Sequence, residues 1–142
     1  MELNEHLKLE NQLCFNIYAT SRRITKLYKP HLEKIGLTYP QYITMLVLWE
    51  KESISSKELG NLLYLDSGTL TPLLKRLEKI GLLVRKRDVS DERNLVITIT
   101  NKGNELKDKA KCIPEKLLLD IDMPIDEVIN LREKLKKLLG KL

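Results

Sequence analysis

Apolar residues recur at intervals of three and four positions along most of this 142-residue chain, which is the spacing of one face of an α-helix. The pattern predicts a first helix from Leu9 to about Tyr28, and Pro30 is expected to begin its end. Four apolar residues of this helix are expected to belong to the core: Leu13, Ile17, Ile24 and Leu27.

Capping pairs mark where the next two helices begin. Thr38 and Gln41 have the spacing of a capping box, and Pro40 between them suits a first helical turn because its missing N–H would be unpaired there. Ser55 and Glu58 repeat the spacing before an apolar periodic run. Two short helices are therefore predicted, one after each pair.

The segment LDSGTLTPLLKRLEKIGLL predicts a further helix. Asp66 or Ser67 can cap its first turn, and Gly81 is a suitable end. Its buried face is expected to consist of four leucines: Leu70, Leu73, Leu74 and Leu77.

The pattern then changes to two short runs, LLVRKR and NLVITIT, that flank the polar stretch DVSDER and predict a β-hairpin. Thr100 or Asn101 can cap the next helix, KGNELKDKAKCIPEKLL, which Pro114 is expected to bend. A last helix should run from about Ile125 to Leu139. The chain is thus predicted to be one mainly helical domain with a small β-hairpin.

A short helix, a turn, a second helix and a hairpin, over about residues 38–100, describe a winged helix-turn-helix. From Ser67 to Arg87 the chain carries six basic residues and one acidic residue, whereas the rest of this +5 chain is neutral in sum. Charge confined to one segment favours a polyanion partner, most simply double-stranded DNA, although a solvated surface without a partner is the alternative.

Side chains on the non-leucine face of the second helix can reach base edges and phosphates in a major groove. Arg93, in the hairpin tip, is the candidate for the adjacent minor groove, and Asp91 could orient its guanidinium. The other candidate DNA contacts are Ser67, Thr69, Thr71, Lys75, Arg76, Arg85 and Arg87.

The flanking helices, about residues 7–30 and 101–142, carry apolar faces that such a lobe cannot easily cover. We expect them to form a homodimer, which would present two recognition helices to a pseudo-palindromic operator. The alternative is that both helices pack on each other within a monomer. The apolar residues concerned are Leu9, Leu13, Ile17, Leu131, Leu135 and Leu138.

Composition argues against several other classes. No apolar run approaches the roughly 20 residues that span a bilayer, and the N-terminus is unlike a signal peptide, so a cytoplasmic location is expected. Two cysteines 98 positions apart make neither a disulfide framework nor a zinc motif. The only histidines, His6 and His31, disfavour a metal sensor, and the sequence predicts no cofactor and no hydrolase or phosphate-binding motif.

Cys14 lies in the middle of the first predicted helix, on a stripe that also contains Tyr18 and Tyr28. A lone cysteine is usually a small buried hydrophobe. A thiol that reacts is the alternative, and it needs support from elsewhere in the chain.

Several stretches resemble a known family. The stretch LYLDSGTLTPLLKRLEKIGLLVRKR, followed by DERNLVITIT, resembles the DNA-binding lobe of MarR-type repressors. LENQLCF, KLYKP and LTYPQY resemble the organic-hydroperoxide-sensing OhrR-type branch, with the SarZ and MgrA thiol regulators nearby. The resemblance runs from about Leu7 to Pro114.

The resemblance implies that Cys14 is a peroxide sensor in a repressor that binds DNA when reduced. It also implies that Tyr28 and Tyr39, donated by the partner subunit, hydrogen-bond the sulfur, and that Tyr18 adjoins the site. Oxidation gives a sulfenic acid, which condenses with a small cellular thiol or with a second cysteine. Cys112 lies about two turns, or roughly 11 Å, before the family's resolving position, which favours a one-cysteine mechanism.

Three other functions stay open on the sequence. A MarR-type repressor released by a small aromatic ligand would leave Cys14 with a structural role. A thiol peroxidase could also use Cys14, although no enzyme is predicted. A winged helix that only binds proteins would show no salt-dependent affinity for DNA.

Overall fold

The structure is a computed structural model that describes residues 3–91 and 94–142. Two short 3-10 helices, Leu3–Leu7 and Leu9–Asn11, precede the first α-helix. The further elements, in chain order, are α1 (Leu13–Glu33), α2 (Tyr39–Lys51), β1 (Ser53–Ser55), α3 (Ser56–Leu63), α4 (Ser67–Lys79), β2 (Leu83–Arg87), β3 (Leu95–Ile99), α5 (Asn101–Ala110), α6 (Ile113–Ile121) and α7 (Ile125–Leu139).

The predicted caps are present. Thr38 and Gln41 form a reciprocal capping box at α2, with Gln41 N–H donating to Thr38 Oγ1 at 3.4 Å and Thr38 N–H donating to Gln41 Oε1 at 2.9 Å. Asp66 caps α4 and Thr100 caps α5. Gly81, with φ of +85°, follows the end of α4. These short-range signals therefore place four helix ends correctly.

The predicted hairpin is confirmed as β2 and β3, which pair antiparallel with Arg85 opposite Ile97. A third strand that the sequence did not reveal, β1, joins the other side of β3, so the sheet order is β1-β3-β2. Three residues are too few to show a strand period, and β1 is held by pairing with residues far along the chain. Helices α3 and α4 with this sheet make the predicted winged helix-turn-helix, and the mainly helical fold class is confirmed.

The predicted bounds of the first helix were wrong. Helix α1 begins at Leu13, because the Gln12 side chain donates backward to the carbonyls of His6 (2.6 Å) and Lys8 (2.8 Å) and ends the preceding turns. It also continues through Pro30 to Glu33. Proline removes one hydrogen bond to the preceding turn, and at this exposed site water can replace it.

The prediction of one bent helix around Pro114 was also wrong. Two helices, α5 and α6, replace it, with Lys111 and Cys112 between them. Pro114 lies in the first turn of α6, where its missing N–H costs nothing, whereas inside a continuous helix it would interrupt the hydrogen-bond ladder. Cys112 is therefore the residue that precedes α6 and not a residue within a helix.

The chain divides into two compact units, Met1–Lys111 and Cys112–Leu142. All four leucines predicted for the buried face of α4 are buried. The core predicted for α1 is not: Leu13 is 66% exposed, Ile17 and Leu27 are each 37% exposed, and Ile24 is half-buried. Within the described residues, no helix combines the length and apolar character needed to cross a membrane.

Candidate functional site

Helix α4 presents a polar face opposite its four buried leucines. The Asp66 carboxylate accepts a hydrogen bond from Thr69 N–H at 2.8 Å, which lowers the pKa of Asp66 and keeps this cap ionised at neutral pH. The five residues predicted to contact DNA on this helix are all exposed: Ser67, Thr69, Thr71, Lys75 and Arg76.

An acidic side chain forms hydrogen bonds at the start of the hairpin loop. Asp88 Oδ1 accepts hydrogen bonds from Ser90 N–H (3.0 Å) and Ser90 Oγ (2.8 Å), and these bonds lower the pKa of Asp88. Arg87 and Asp91, both predicted to act in DNA binding, are exposed. Arg93 lies outside the described residues, so its predicted role stays a prediction.

The side chain of Arg85, another candidate DNA contact, bonds to a residue of α4. Its Nε and Nη2 atoms lie 3.2 and 3.1 Å from Glu78 Oε1, and its backbone N–H donates to Glu78 Oε2 at 2.8 Å. These hydrogen bonds, together with the charge of Arg85, lower the pKa of Glu78. Glu78, on α4, is a residue that the sequence analysis did not single out.

Cys14 is exposed and lies in the first turn of α1, since Gln12 is the residue that precedes the helix. The prediction of a mid-helix cysteine was therefore wrong, because the first helix begins later than its apolar pattern indicated. The first backbone N–H groups of a helix have no partner within the helix and create a positive end. A thiolate is the form of a cysteine that reacts with peroxides.

Three tyrosines cluster where α1 meets the start of α2. The ring centroid of Tyr28 lies 4.9 Å from that of Tyr39 and 5.7 Å from that of Tyr42. Tyr42 in turn lies 6.3 Å from the ring of Trp49, whose indole N–H donates to the Gly103 carbonyl at 2.9 Å. The sequence analysis missed Tyr42, although it follows Tyr39 by three positions and so shares its helix face.

Packing raises the pKa of each tyrosine in this cluster. Burial is the main cause, and it raises the pKa of Tyr28 to about 12, with further contributions from Tyr39 and Tyr42. The pKa values of Tyr39 and Tyr42 are also raised, again mainly by burial. These hydroxyls therefore stay protonated at neutral pH and can donate hydrogen bonds to an anion.

One chain does not bring Cys14 and the tyrosine cluster together. Tyr28 follows Cys14 by fourteen positions of α1, which corresponds to about 21 Å of helix rise. Only Tyr18, one turn from Cys14, is close in sequence, and the Arg22 guanidinium lies 5.5 Å from its ring centroid.

A groove lies along α1 beside the start of α2, with a volume of about 630 Å³. Its walls combine three basic residues, Arg22, Lys26 and Lys29, and one acidic residue, Glu33, with apolar residues and Tyr39, so that its lining is basic in sum. Such a lining suits a small anion with an apolar body.

Comparison with known proteins shows that the chain is similar to bacterial transcriptional regulators. Residues 26–110 match the family described as transcriptional regulator SarA/Rot. The chain is 56% identical over 114 residues to the organic hydroperoxide resistance transcriptional regulator of Bacillus subtilis, covering 80% of this chain and 78% of that protein. It is 44% identical over 133 residues to SarZ of Staphylococcus saprophyticus, covering 94% and 91%.

Among solved structures, the chain is similar to AbfR of Staphylococcus epidermidis in several states. Reduced AbfR bound to DNA has a TM-score of 0.80 at 36% identity, covering 99% of this chain and 98% of that chain. Overoxidised AbfR bound to DNA gives 0.79 at 37% identity, with the same coverage. Disulfide-formed AbfR gives 0.65 at 36% identity, covering 97% and 94%.

A winged helix-turn-helix with an exposed polar recognition helix, in a chain of such relatives, defines a DNA-binding transcriptional regulator. The chain belongs to the MarR family of these regulators, in the branch that contains the OhrR-type organic hydroperoxide regulators and SarZ. The resemblance found in the sequence is thereby confirmed.

Proposed function

We propose that this protein is a redox-sensing repressor that binds operator DNA as a homodimer and releases it when an organic hydroperoxide oxidises Cys14. The observation that carries the proposal is the position of Cys14, exposed in the first turn of α1 and about 21 Å along that helix from Tyr28, which belongs to a cluster of tyrosines from α1 and α2. A second copy can supply to each cysteine what its own chain cannot.

Two α1 helices that cross antiparallel would place Cys14 of each chain beside Tyr28 and Tyr39 of the other. The exposed apolar side chains of α1, Leu13 and Ile17, support such a contact because their burial would stabilise the dimer. Hydroxyl donors from the partner and the positive end of α1 would then both stabilise the thiolate.

The proposed chemistry begins with attack of the Cys14 thiolate on the terminal oxygen of the hydroperoxide. The S–O bond forms as the O–O bond breaks, and the leaving alkoxide takes a proton to become an alcohol. The sulfur is oxidised to a sulfenic acid and the peroxide is reduced. A small cellular thiol then condenses with the sulfenic acid, giving a mixed disulfide and water.

Two states of the relative AbfR support a proposal about which modification of this protein releases DNA. Overoxidised AbfR is bound to DNA, so added oxygens alone did not prevent that complex, whereas its disulfide-formed state has the lower TM-score to this chain. We infer that a bulky disulfide at Cys14 separates the tyrosines from the sulfur and shifts the winged lobes. We assign Cys112, which precedes α6, a structural role.

DNA contacts are proposed for the exposed face of α4 and for the wing. The α4 residues would approach base edges and phosphates in the major groove. Arg93, oriented by Asp91, would enter the minor groove. Because a repressor must reach the DNA, we also propose that the protein lies in the cytoplasm. Its proposed role is that of a regulator and not of an enzyme. The proposed contacts are Ser67, Thr69, Thr71, Lys75, Arg76, Arg87, Asp91 and Arg93.

The test is a titration of the DNA upstream of the protein's own gene, with and without tert-butyl hydroperoxide and a small thiol. Wild type and Cys112→Ser should release the DNA after oxidation, whereas Cys14→Ser should stay bound. Mass spectrometry should find the mixed disulfide at Cys14. An unmodified Cys14 in released protein would contradict peroxide sensing, and a Cys14–Cys112 disulfide would contradict the one-cysteine mechanism.

The groove beside α1 supports a second candidate, a repressor released by a small aromatic ligand. Its basic and apolar lining would suit an aromatic carboxylate. If this function is correct, Cys14→Ser and the wild-type protein would both release DNA when benzoate is added. Neither would release DNA when peroxide is added.

A further inference from the structure

Glu78 connects the recognition helix to the wing through a single carboxylate. It lies near the end of α4, with its side chain 35% exposed, and both of its oxygens accept hydrogen bonds from Arg85 on β2. One of these bonds is to the backbone N–H of Arg85, so the contact fixes the strand itself and not only a long side chain.

The backbone bond follows from the position of β2 at the edge of the sheet. The sheet order β1-β3-β2 leaves one side of β2 without a neighbouring strand. The N–H groups that point to this side need another acceptor, and Glu78 Oε2 provides one for Arg85 at 2.8 Å. The Arg85 side chain is 21% exposed, and its guanidinium donates to the other carboxylate oxygen, Glu78 Oε1.

We infer that Glu78 is a positioning residue for DNA binding, and that Arg85 acts through Glu78 and is not a phosphate contact. The pair sets the angle between α4, which enters the major groove, and the hairpin that carries Arg87 toward the minor groove. This inference rests on the proposed use of both elements on one operator.

Removal of the Glu78 charge tests the inference, because electrostatics and positioning predict opposite changes in DNA affinity. Glu78→Ala removes a negative charge close to the proposed DNA face, so electrostatics alone predicts tighter binding. Positioning predicts the opposite, a loss of about tenfold, as expected when hydrogen bonds to a charged group are lost. Asp108→Ala is the matched control, because Asp108 is an exposed carboxylate of the Lys111 ion pair on α5 and its removal changes the net charge equally.

The measurement is fluorescence anisotropy on a duplex that the wild-type protein selects from a random library, over a range of salt concentrations. Glu78→Ala and Arg85→Ala should bind about tenfold more weakly, and the double variant no more weakly than either, since the two residues form one unit. Arg85→Ala should keep the wild-type salt slope, whereas loss of a phosphate contact would lower the slope by about 1. Thermal melting under the same conditions confirms that each variant is folded.

A second readout needs no DNA. Amide hydrogen exchange at Arg85 should speed up in Glu78→Ala and stay unchanged in Asp108→Ala, because only the first loses the acceptor of that N–H. Wild-type affinity in Glu78→Ala, or a lowered salt slope in Arg85→Ala, would overturn the inference. Failure of the wild-type protein to select any duplex would instead contradict the proposed operator binding, and the exchange measurement would still decide whether Glu78 holds the wing.

Discussion

At the scale of single residues, the tyrosine cluster shows how packing adjusts a side chain for its role. Tyr28 packs against two other phenol rings and is half-buried, so removing its proton would create a negative charge in a poorly solvated place. The pKa of about 12 keeps its hydroxyl a donor under all physiological conditions. A protonated hydroxyl can approach a thiolate without charge repulsion.

This raised pKa predicts how stability depends on alkaline pH. Tyr28 holds its proton more tightly in the folded chain than in the unfolded chain, where its pKa is near 10.0. The contribution of this proton to the free energy of unfolding is therefore complete below pH 10 and is lost as pH rises toward 12. Urea unfolding from pH 9 to 12 should show a decline that is smaller in Tyr28→Phe, by about 1 kcal/mol because solvent screens a half-buried group. Equal declines in the two proteins would show that Tyr28 does not titrate as described.

At the scale of elements, three hydrogen bonds join the start of α5 to two other parts of the winged lobe. Gly103 receives the Trp49 indole bond from α2, Thr100 Oγ1 donates to the Gly81 carbonyl at 2.6 Å, and Lys102 Nζ donates to the Ile80 carbonyl at 2.7 Å. Helix α5 is therefore held to the end of α4 and to the helix that carries Tyr39 and Tyr42. Contacts therefore lead from the helix of Tyr42 through α5 to the end of the recognition helix.

Gly103 lets the start of α5 approach Leu82 and Ile99 closely because it lacks a Cβ atom. An added Cβ would overlap the Leu82 carbonyl and lie 2.8 Å from Ile99 Cγ1. Gly103→Ala should therefore lower the free energy of unfolding by about 2 kcal/mol, the usual cost of overpacking. Gly140→Ala is the control, because its Cβ would make only an ordinary contact of 3.5 Å. Equal denaturation midpoints for the two variants would mean that the backbone at Gly103 relaxes without cost.

At the scale of the whole molecule, both terminal regions of the chain expose large apolar side chains. Leu9 and Leu13 are 60% and 66% exposed, and Leu131 and Leu135 are 45% and 43% exposed. Helix α7 has no buried residue at all. Apolar surface of this extent on helices favours association with a second copy.

A dimer makes stability depend on protein concentration. The unfolding midpoint should rise as concentration is raised through the micromolar range, because only the folded dimer gains from association. Sedimentation should show twice the 16.5 kDa chain mass, and the charge introduced by Leu135→Lys should favour the monomer. A species of single-chain mass at micromolar concentration in the wild-type protein would contradict the dimer and with it the proposed sensor site.

Much of the fold could be read from neighbouring residues. Thr38, Asp66 and Thr100 begin helices because each side chain bonds to an N–H three positions later. The leucines of α4 are buried because a period of 3.6 residues places them on one face. The hairpin and the family resemblance also follow from contiguous stretches. These features depend on interactions between residues a few positions apart, and such interactions can be predicted from the sequence.

Tertiary structure alone decided the features that join distant positions. Strand β1 forms because Ser53 pairs with Thr98, 45 positions later, and no hydrophobic pattern around Ser53 predicts that pairing. The edge position of β2 leaves the Arg85 N–H to bond with Glu78 of α4, a contact that the charge of Arg85 alone did not reveal. The sequence named Cys14, Tyr28 and Tyr39 by resemblance. Only the length of α1 shows that one chain cannot join them, because a helix fixes distance along its axis at about 1.5 Å per residue.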